Sequence, residues 1–207
     1  MFRRRLVMTL LMLTVALPVF AAEGIAPSAE ETKPIPAGGM LPDVSVATVE
    51  GETVKLKDAL GGKPTALVFY RGGWCPYCVR HLAGLKDAEP TLKELGFQIV
   101  GITPEGPAKI AETIKDKELD YTIVSDGELE AAKAFGLAFD LGAVTALAYR
   151  GYGATLPENA LPVPAVYLVD AEGKLVFAYA NPDYKTRLSN DDLLEAARKA
   201  VAPATEE

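Results

Sequence analysis

Apolar positions in this chain alternate between short runs of strand length and stripes at helical spacing. Val44–Val49 and Thr53–Leu56 flank Glu50-Gly51-Glu52, which predicts a β-hairpin. Thr65 to Tyr70 is a short apolar run ending at a glycine pair, the pattern of a buried strand. Val79, Leu82, Leu85, Leu92 and Leu95 then mark a helix, with Pro90 expected to kink or restart it and Gly96 placed to cap it. Further along, the pattern predicts strands at 97–103 and 121–125 and helices near 107–117 and 129–135. After a looser stretch come strands at 165–169 and 174–178 about the turn Asp170-Ala171-Glu172-Gly173, then a helix opened by the capping box Ser189-Asn190-Asp191-Asp192. Strands alternating with helices and closed by a hairpin imply an α/β layered fold with a central mixed sheet flanked by helices.

The N-terminus follows a different rule. Arg3, Arg4 and Arg5 precede an apolar run of 15 residues, Leu6 to Phe20, and Val19-Phe20-Ala21 is a small-residue cleavage pattern before polar Ala22-Glu23-Gly24. A membrane span needs about 20 apolar residues, so residues 1–21 are expected to be a cleaved signal peptide, with no stable membrane insertion afterwards. Absence of a cysteine near this point excludes a lipoprotein anchor. The mature protein is expected to be exported, periplasmic or extracellular, in a compartment where disulfides persist. Residues 22–41, rich in Ala, Glu, Pro and Gly, are expected to form a flexible linker, and 42–203 a single domain.

Composition narrows the functions open to that domain. At 207 residues with 49% hydrophobic and 24% charged positions the chain supports a full-sized core. Its formal charge of −7, with no basic tract, makes nucleic acid an unsuitable partner. Two cysteines are too few for a thiolate zinc site.

Those two cysteines carry the chemistry. Tyr70-Arg71-Gly72-Gly73-Trp74-Cys75-Pro76-Tyr77-Cys78 places a Cys-x-x-Cys motif between a strand and a helix. There the helix N-terminus stabilises a thiolate at Cys75, Pro76 fits the first turn, Arg71 adds positive potential, and Cys78 lies one turn on to resolve a mixed disulfide. The competing reading is a structural staple. A ring this short stabilises by only about 2 kcal/mol, against about 5 for a loop of about 100 residues, so a redox role is preferred.

Trp74-Cys75-x-x-Cys78 resembles the active site of thioredoxin-fold proteins, and Cys-Pro-Tyr-Cys matches glutaredoxins. With FYRGGWCPYC, LPVPAVYLVDAEG and Asp183-Tyr184, about residues 40–200 resemble the peroxiredoxin-like branch of the alkyl hydroperoxide reductase/thiol-specific antioxidant family. The resemblance implies a thioredoxin-like fold with the 44–56 hairpin as an N-terminal extension. It also implies a cis bond at Val163–Pro164, facing the cysteine pair in a loop that contacts substrate backbone. Two departures stand out. In the peroxiredoxin register Cys78 falls on the peroxide-reacting cysteine, Cys75 on a Thr/Ser and Arg71 on a proline. The arginine that peroxiredoxins use near the later strand is absent, with Pro164 or its neighbour in its place.

The expected site is therefore Cys75 and Cys78 as catalytic residues, supported by Arg71, Trp74, Pro76, Tyr77 and Pro164, with neither cofactor nor metal. The expected function is an exported thiol–disulfide oxidoreductase acting on protein or small-molecule disulfides, its partners a disulfide- or thiol-bearing substrate and a redox partner that resets the pair. The alternative is a thiol peroxidase, in which peroxide oxidises one cysteine to a sulfenic acid and the other condenses with it. A remoter alternative holds a soft metal with Cys75, Cys78 and His81; as the chain's only histidine, His81 reads better as a helix-surface residue. Valine at 79 excludes haem attachment. Tyr149, Arg150 and Tyr152 read as packing the looser stretch against the core, the alternative being a substrate-facing lip. No buried proton acceptor for Cys78 is identifiable.

Overall fold

The computed structural model describes residues 24–202; the expected signal peptide and cleavage site lie outside them. Nine strands and six α-helices follow in order: β1 (Ser45–Ala47), β2 (Thr53–Lys55), α1 (Leu56–Leu60), β3 (Thr65–Phe69), α2 (Pro76–Glu94), β4 (Gln98–Thr103), α3 (Pro107–Lys117), β5 (Thr122–Ser125), α4 (Glu130–Ala134), β6 (Ala138–Asp140), α5 (Gly142–Gly151), β7 (Ala160–Pro162), β8 (Ala165–Val169), β9 (Leu175–Ala180) and α6 (Asn190–Val201). Seven strands form one sheet in the order β2-β1-β5-β4-β3-β8-β9, and β6 and β7 form a separate pair.

β3 lies deep in this sheet, parallel to β4 and antiparallel to β8, and all five of its residues are buried. That is why it reads as a continuous apolar run rather than an alternating one. Its alternate side chains feed two cores. Ala66 and Val68 meet Leu82, Leu85 and Leu92 of α2 and Leu193 of α6. Leu67 and Phe69 meet Leu56 of α1 and the ring pair Phe135 and Tyr167. The Phe69 and Phe135 centroids are 4.8 Å apart, and those of Phe135 and Tyr167 4.9 Å. The mixed α/β sheet flanked by helices matches the expected class, and the hairpin joins the sheet itself through Ala47 and Ser125.

Three local expectations are corrected. Residues 24–41 are strapped to the domain: Lys33 and Ile35 N–H donate to Gly136 and Phe135 carbonyls, and Gly38 and Leu41 N–H to Leu175 and Gly173. Ile35 and Leu41 pack on the core, so the stretch is no free linker despite its composition. Helix α2 runs unbroken through Pro90. Pro90 sits on the exposed face, where water reaches the carbonyl it leaves without a donor, while Ala88, Glu89 and Leu92 bury the opposite face. Val163–Pro164 is trans, as is every peptide bond among the described residues. β7 passes almost directly into β8 with no turn between them, and the trans bond continues that extended path.

Candidate active site

The site is built where β3 ends. Tyr70 N–H still donates to Ile102 O at 3.0 Å; the chain then turns through Arg71-Gly72-Gly73-Trp74 and enters α2, with Cys75 N–H on Gly72 O at 3.2 Å. Glycine is required at 72. Its φ is +145°, and a Cβ there would lie 2.4 Å from Trp74 Nε1 and 2.9 Å from Glu105 Cδ. At Gly73 a Cβ would meet Thr113 Oγ1 at 2.3 Å, and the Gly73 N–H donates to Glu105 Oε2 at 2.8 Å. Glu105, beyond β4, is only 2% exposed, and burial raises its pKa. A carboxylate thus anchors the turn from below.

Cys75 is the N-cap of α2, with Pro76 at the first helical position. Both cysteines are free thiols, 1% and 0% exposed. Their electrostatics diverge. A hydrogen bond from the Cys78 thiol brings the Cys75 pKa down to about 6, outweighing burial, with help from the Cys78 backbone N–H, Arg71 and Arg187. Burial raises Cys78, and its hydrogen bond to the Cys75 sulfur raises it further. The pair therefore carries one negative charge near neutrality, centred on Cys75. Neither sulfur is open to solvent, because both lie in the core cluster that Trp74 and Tyr77 cover.

Two guanidinium groups attend the two sulfurs. Arg71, 3% exposed, places Nη1 4.0 Å from Cys75 Sγ. Its charge faces three rings, Tyr184 at 4.1 Å, Tyr149 at 4.9 Å and Trp74 at 5.0 Å from Cζ to centroid. Arg187 places Nη2 3.3 Å from Cys78 Sγ, while its Nε and Nη1 are buried without partners. Among the described residues neither arginine is paired with a carboxylate. Arg187 and Tyr184 come from the β9–α6 loop. There Asp183 accepts from Lys185 N–H at 3.1 Å and Thr186 Oγ1 at 3.0 Å, and Asn181 N–H donates to Pro164 O at 3.3 Å. Pro164, buried and trans, thus supports the loop that carries Arg187.

Of the expected site residues, Cys75, Cys78, Arg71, Trp74 and Tyr77 converge; Pro76 is exposed and starts the helix. Tyr77 meets Tyr184 edge-on at 5.6 Å. Tyr149 packs on Trp74 at 5.3 Å, whereas Tyr152 points to solvent and Arg150 binds Leu156 O and Asn159 Oδ1. His81 is not the surface residue expected: both ring nitrogens are buried and unpartnered, and burial, then Arg187, brings its pKa down to about 4. Among the described residues no three His, Cys, Asp or Glu side chains gather as a metal site, and no helix is long and apolar enough to cross a membrane. Sequence reasoning missed Arg187, Glu105 and any role for Tyr184.

Fold and site together define a thioredoxin-fold, peroxiredoxin-like oxidoreductase with a paired-thiol centre. Residues 37–178 match the model of the AhpC/TSA family, and the chain belongs to that family. It is 27% identical to Peroxiredoxin Bcp of Escherichia coli (strain K12) over 161 residues, covering 78% of this chain and 94% of that protein. It is 28% identical to Peroxiredoxin Bcp of Bacillus subtilis (strain 168) over 142 residues, covering 69% and 83%. The crystal structure of peroxidoxin BcpB from Mycobacterium tuberculosis superposes with a TM-score of 0.64 at 19% identity, over 82% of this chain and 99% of that one. These relatives overturn the expectation that thiol–disulfide exchange is the main activity and favour its alternative, the thiol peroxidase. No arginine stands at Pro164, but Arg187, from another element, places a guanidinium 3.3 Å from Cys78 Sγ.

Proposed function

We propose that the protein is a thiol peroxidase that reduces hydroperoxides through Cys75 and Cys78. The observation that carries this reading is the pair of guanidinium groups, one at each sulfur and neither neutralised by a carboxylate. Peroxide cleavage builds negative charge on the departing oxygen, and positioned donors that need not reorganise are what such a step requires. Disulfide exchange expels a thiolate, a better leaving group than hydroxide or an alkoxide, and so depends less on such donors.

In this reading the Cys75 thiolate attacks one peroxide oxygen. An S–O bond forms and the O–O bond breaks; sulfur is oxidised to a sulfenic acid and the other oxygen leaves as an alcohol or water after taking a proton. The Cys78 thiol then condenses with the sulfenic acid, forming the Cys75–Cys78 disulfide and releasing water. An external thiol reductant supplies two electrons and two protons to restore the pair. Export to an oxidising compartment is part of the proposal and rests on residues 1–21 alone.

The test compares second-order rates of the reduced protein with hydrogen peroxide and with a peptide disulfide. Faster peroxide reduction, with one peroxide consumed per two thiols lost, is the expected result. Slow peroxide reduction beside rapid exchange overturns the proposal.

A further inference from the structure

Aromatic rings pack over the reduced thiols. Trp74 and Tyr77 pack against the cluster that contains both sulfurs, and Arg71, whose guanidinium stands 4.0 Å from Cys75 Sγ, is enclosed by Trp74, Tyr149 and Tyr184. Two of these rings are firmly based. Trp74 stands on the glycine turn beside Glu105, and Tyr184 on the loop held by Asp183. Tyr149 is not. It is carried by α5, whose only buried residue is Ala146, set on a small cluster with Leu156 and Leu161. Apart from Tyr149, which packs on Trp74 and that cluster, the rest of α5 is exposed, Val144 and Leu147 being 85% and 72% exposed. A helix so thinly anchored belongs to the part of a fold that opens at low cost.

We infer that Tyr149 determines substrate size at this site: packed against Trp74 and Arg71, it forms a gate that admits hydrogen peroxide and holds back bulky organic hydroperoxides. This rests on the peroxidase reading. A small hydroperoxide needs only the space freed by a slight displacement of one ring, whereas an aryl hydroperoxide must displace the Tyr149 ring from both of its partners. The phenol oxygen is not required for this, only the ring.

The experiment measures rates with hydrogen peroxide and cumene hydroperoxide in wild type, Tyr149→Phe and Tyr149→Ala. Tyr149→Ala is expected to lower the hydrogen peroxide to cumene hydroperoxide rate ratio about tenfold, and Tyr149→Phe to keep the wild-type ratio. In parallel, Cys75 is alkylated with iodoacetamide and with a fluorescein maleimide. Tyr149→Ala is expected to accelerate the bulky reagent relative to the small one. Leu156→Ala, which thins the cluster on which α5, Trp74 and Tyr149 rest while keeping the Tyr149 ring itself, should shift labelling in the same direction and serves if Tyr149→Ala fails to fold. Ratios unchanged from wild type, in both the peroxide and the labelling arms, overturn the gate. A protein that reduces neither peroxide, yet shows the labelling shift, keeps the gate and counts against the peroxidase reading alone.

Discussion

Arg187 Nη2 stands 3.3 Å from Cys78 Sγ across 109 residues of sequence. Its charge lowers the pKa of both cysteines, and nothing acidic pairs with it among the described residues. Arg187→Ala is therefore expected to cut the second-order peroxide rate on the order of 100-fold, the scale of one lost positioned donor. Arg187→Lys should recover part of this, since it restores the charge without the planar fork. Stopped-flow rates at fixed pH check both variants, and a wild-type rate in Arg187→Ala would remove this arginine from the chemistry.

The lowered Cys75 pKa fixes a pH dependence. The peroxide rate should rise with pH through about 6 and level off above neutrality. Stability follows the same group. The folded value lies below the roughly 8.5 of an unfolded thiol, so its contribution is fully present above that value and is lost as pH falls through about 6. The melting-temperature advantage of the reduced protein over Cys75→Ser should thus shrink between pH 8.5 and 6. Cys78, raised by burial, stays protonated throughout that window. An advantage that grows toward acid would reverse the assignment.

What could be read from the sequence was local. The buried strand, glycine turn, Pro76 and Cys75 at the helix entrance lie within a dozen residues, and each follows from propensity and capping. Arg187 could not be found in this way, because it sits in a loop with no hydrophobic period and reaches Cys78 only through the pairing of β8 with β9 and the Asp183 turn. Residues 24–41 misled through composition: alanine, proline and glycine suit a linker, but their backbone groups complete hydrogen bonds with Phe135, Gly136, Gly173 and Leu175. His81 misled for a related reason. Its position three residues after Cys78 puts it on the same helix face, and that face is covered by the Arg187 loop, which sequence reading left unplaced. The looser stretch before β8 holds α5, nearly uncharged yet mostly exposed, a pattern with no periodic signal to reveal it.

The peroxiredoxin register and the electrostatics point to different attacking sulfurs, and single-turnover trapping separates them. Cys78→Ser should accumulate a sulfenic acid on Cys75, seen as a dimedone adduct after one equivalent of hydrogen peroxide. Cys75→Ser should react slowly at pH 7, because burial holds the remaining thiol protonated. Rapid adduct formation on Cys78 in Cys75→Ser, with none on Cys75 in Cys78→Ser, would restore the register assignment.

Glu105 supplies a prediction about positioning. Its Oε2 accepts the Gly73 N–H at 2.8 Å, its own N–H donates to Thr103 Oγ1 at 3.3 Å, and its carboxyl carbon fills the space beside Gly72. Glu105→Ala leaves that N–H without a partner and opens a void under the turn that sets Arg71 and Cys75. A loss of about 1–3 kcal/mol in stability is expected, together with a slower peroxide reaction and a higher apparent thiol pKa as the turn relaxes. Glu105→Gln keeps an oxygen for Gly73 and should restore both rate and thiol pKa. Burial raises the carboxyl pKa, so the folded state holds its proton to higher pH than the unfolded chain and loses stability as pH rises above about 4.3. Glutamine removes that penalty, so Glu105→Gln should be at least as stable as wild type at pH 7. Thermal melts and thiolate absorbance titrations on both variants check this, and a Glu105→Ala protein with wild-type thiol pKa and peroxide rate would reduce Glu105 to a packing residue.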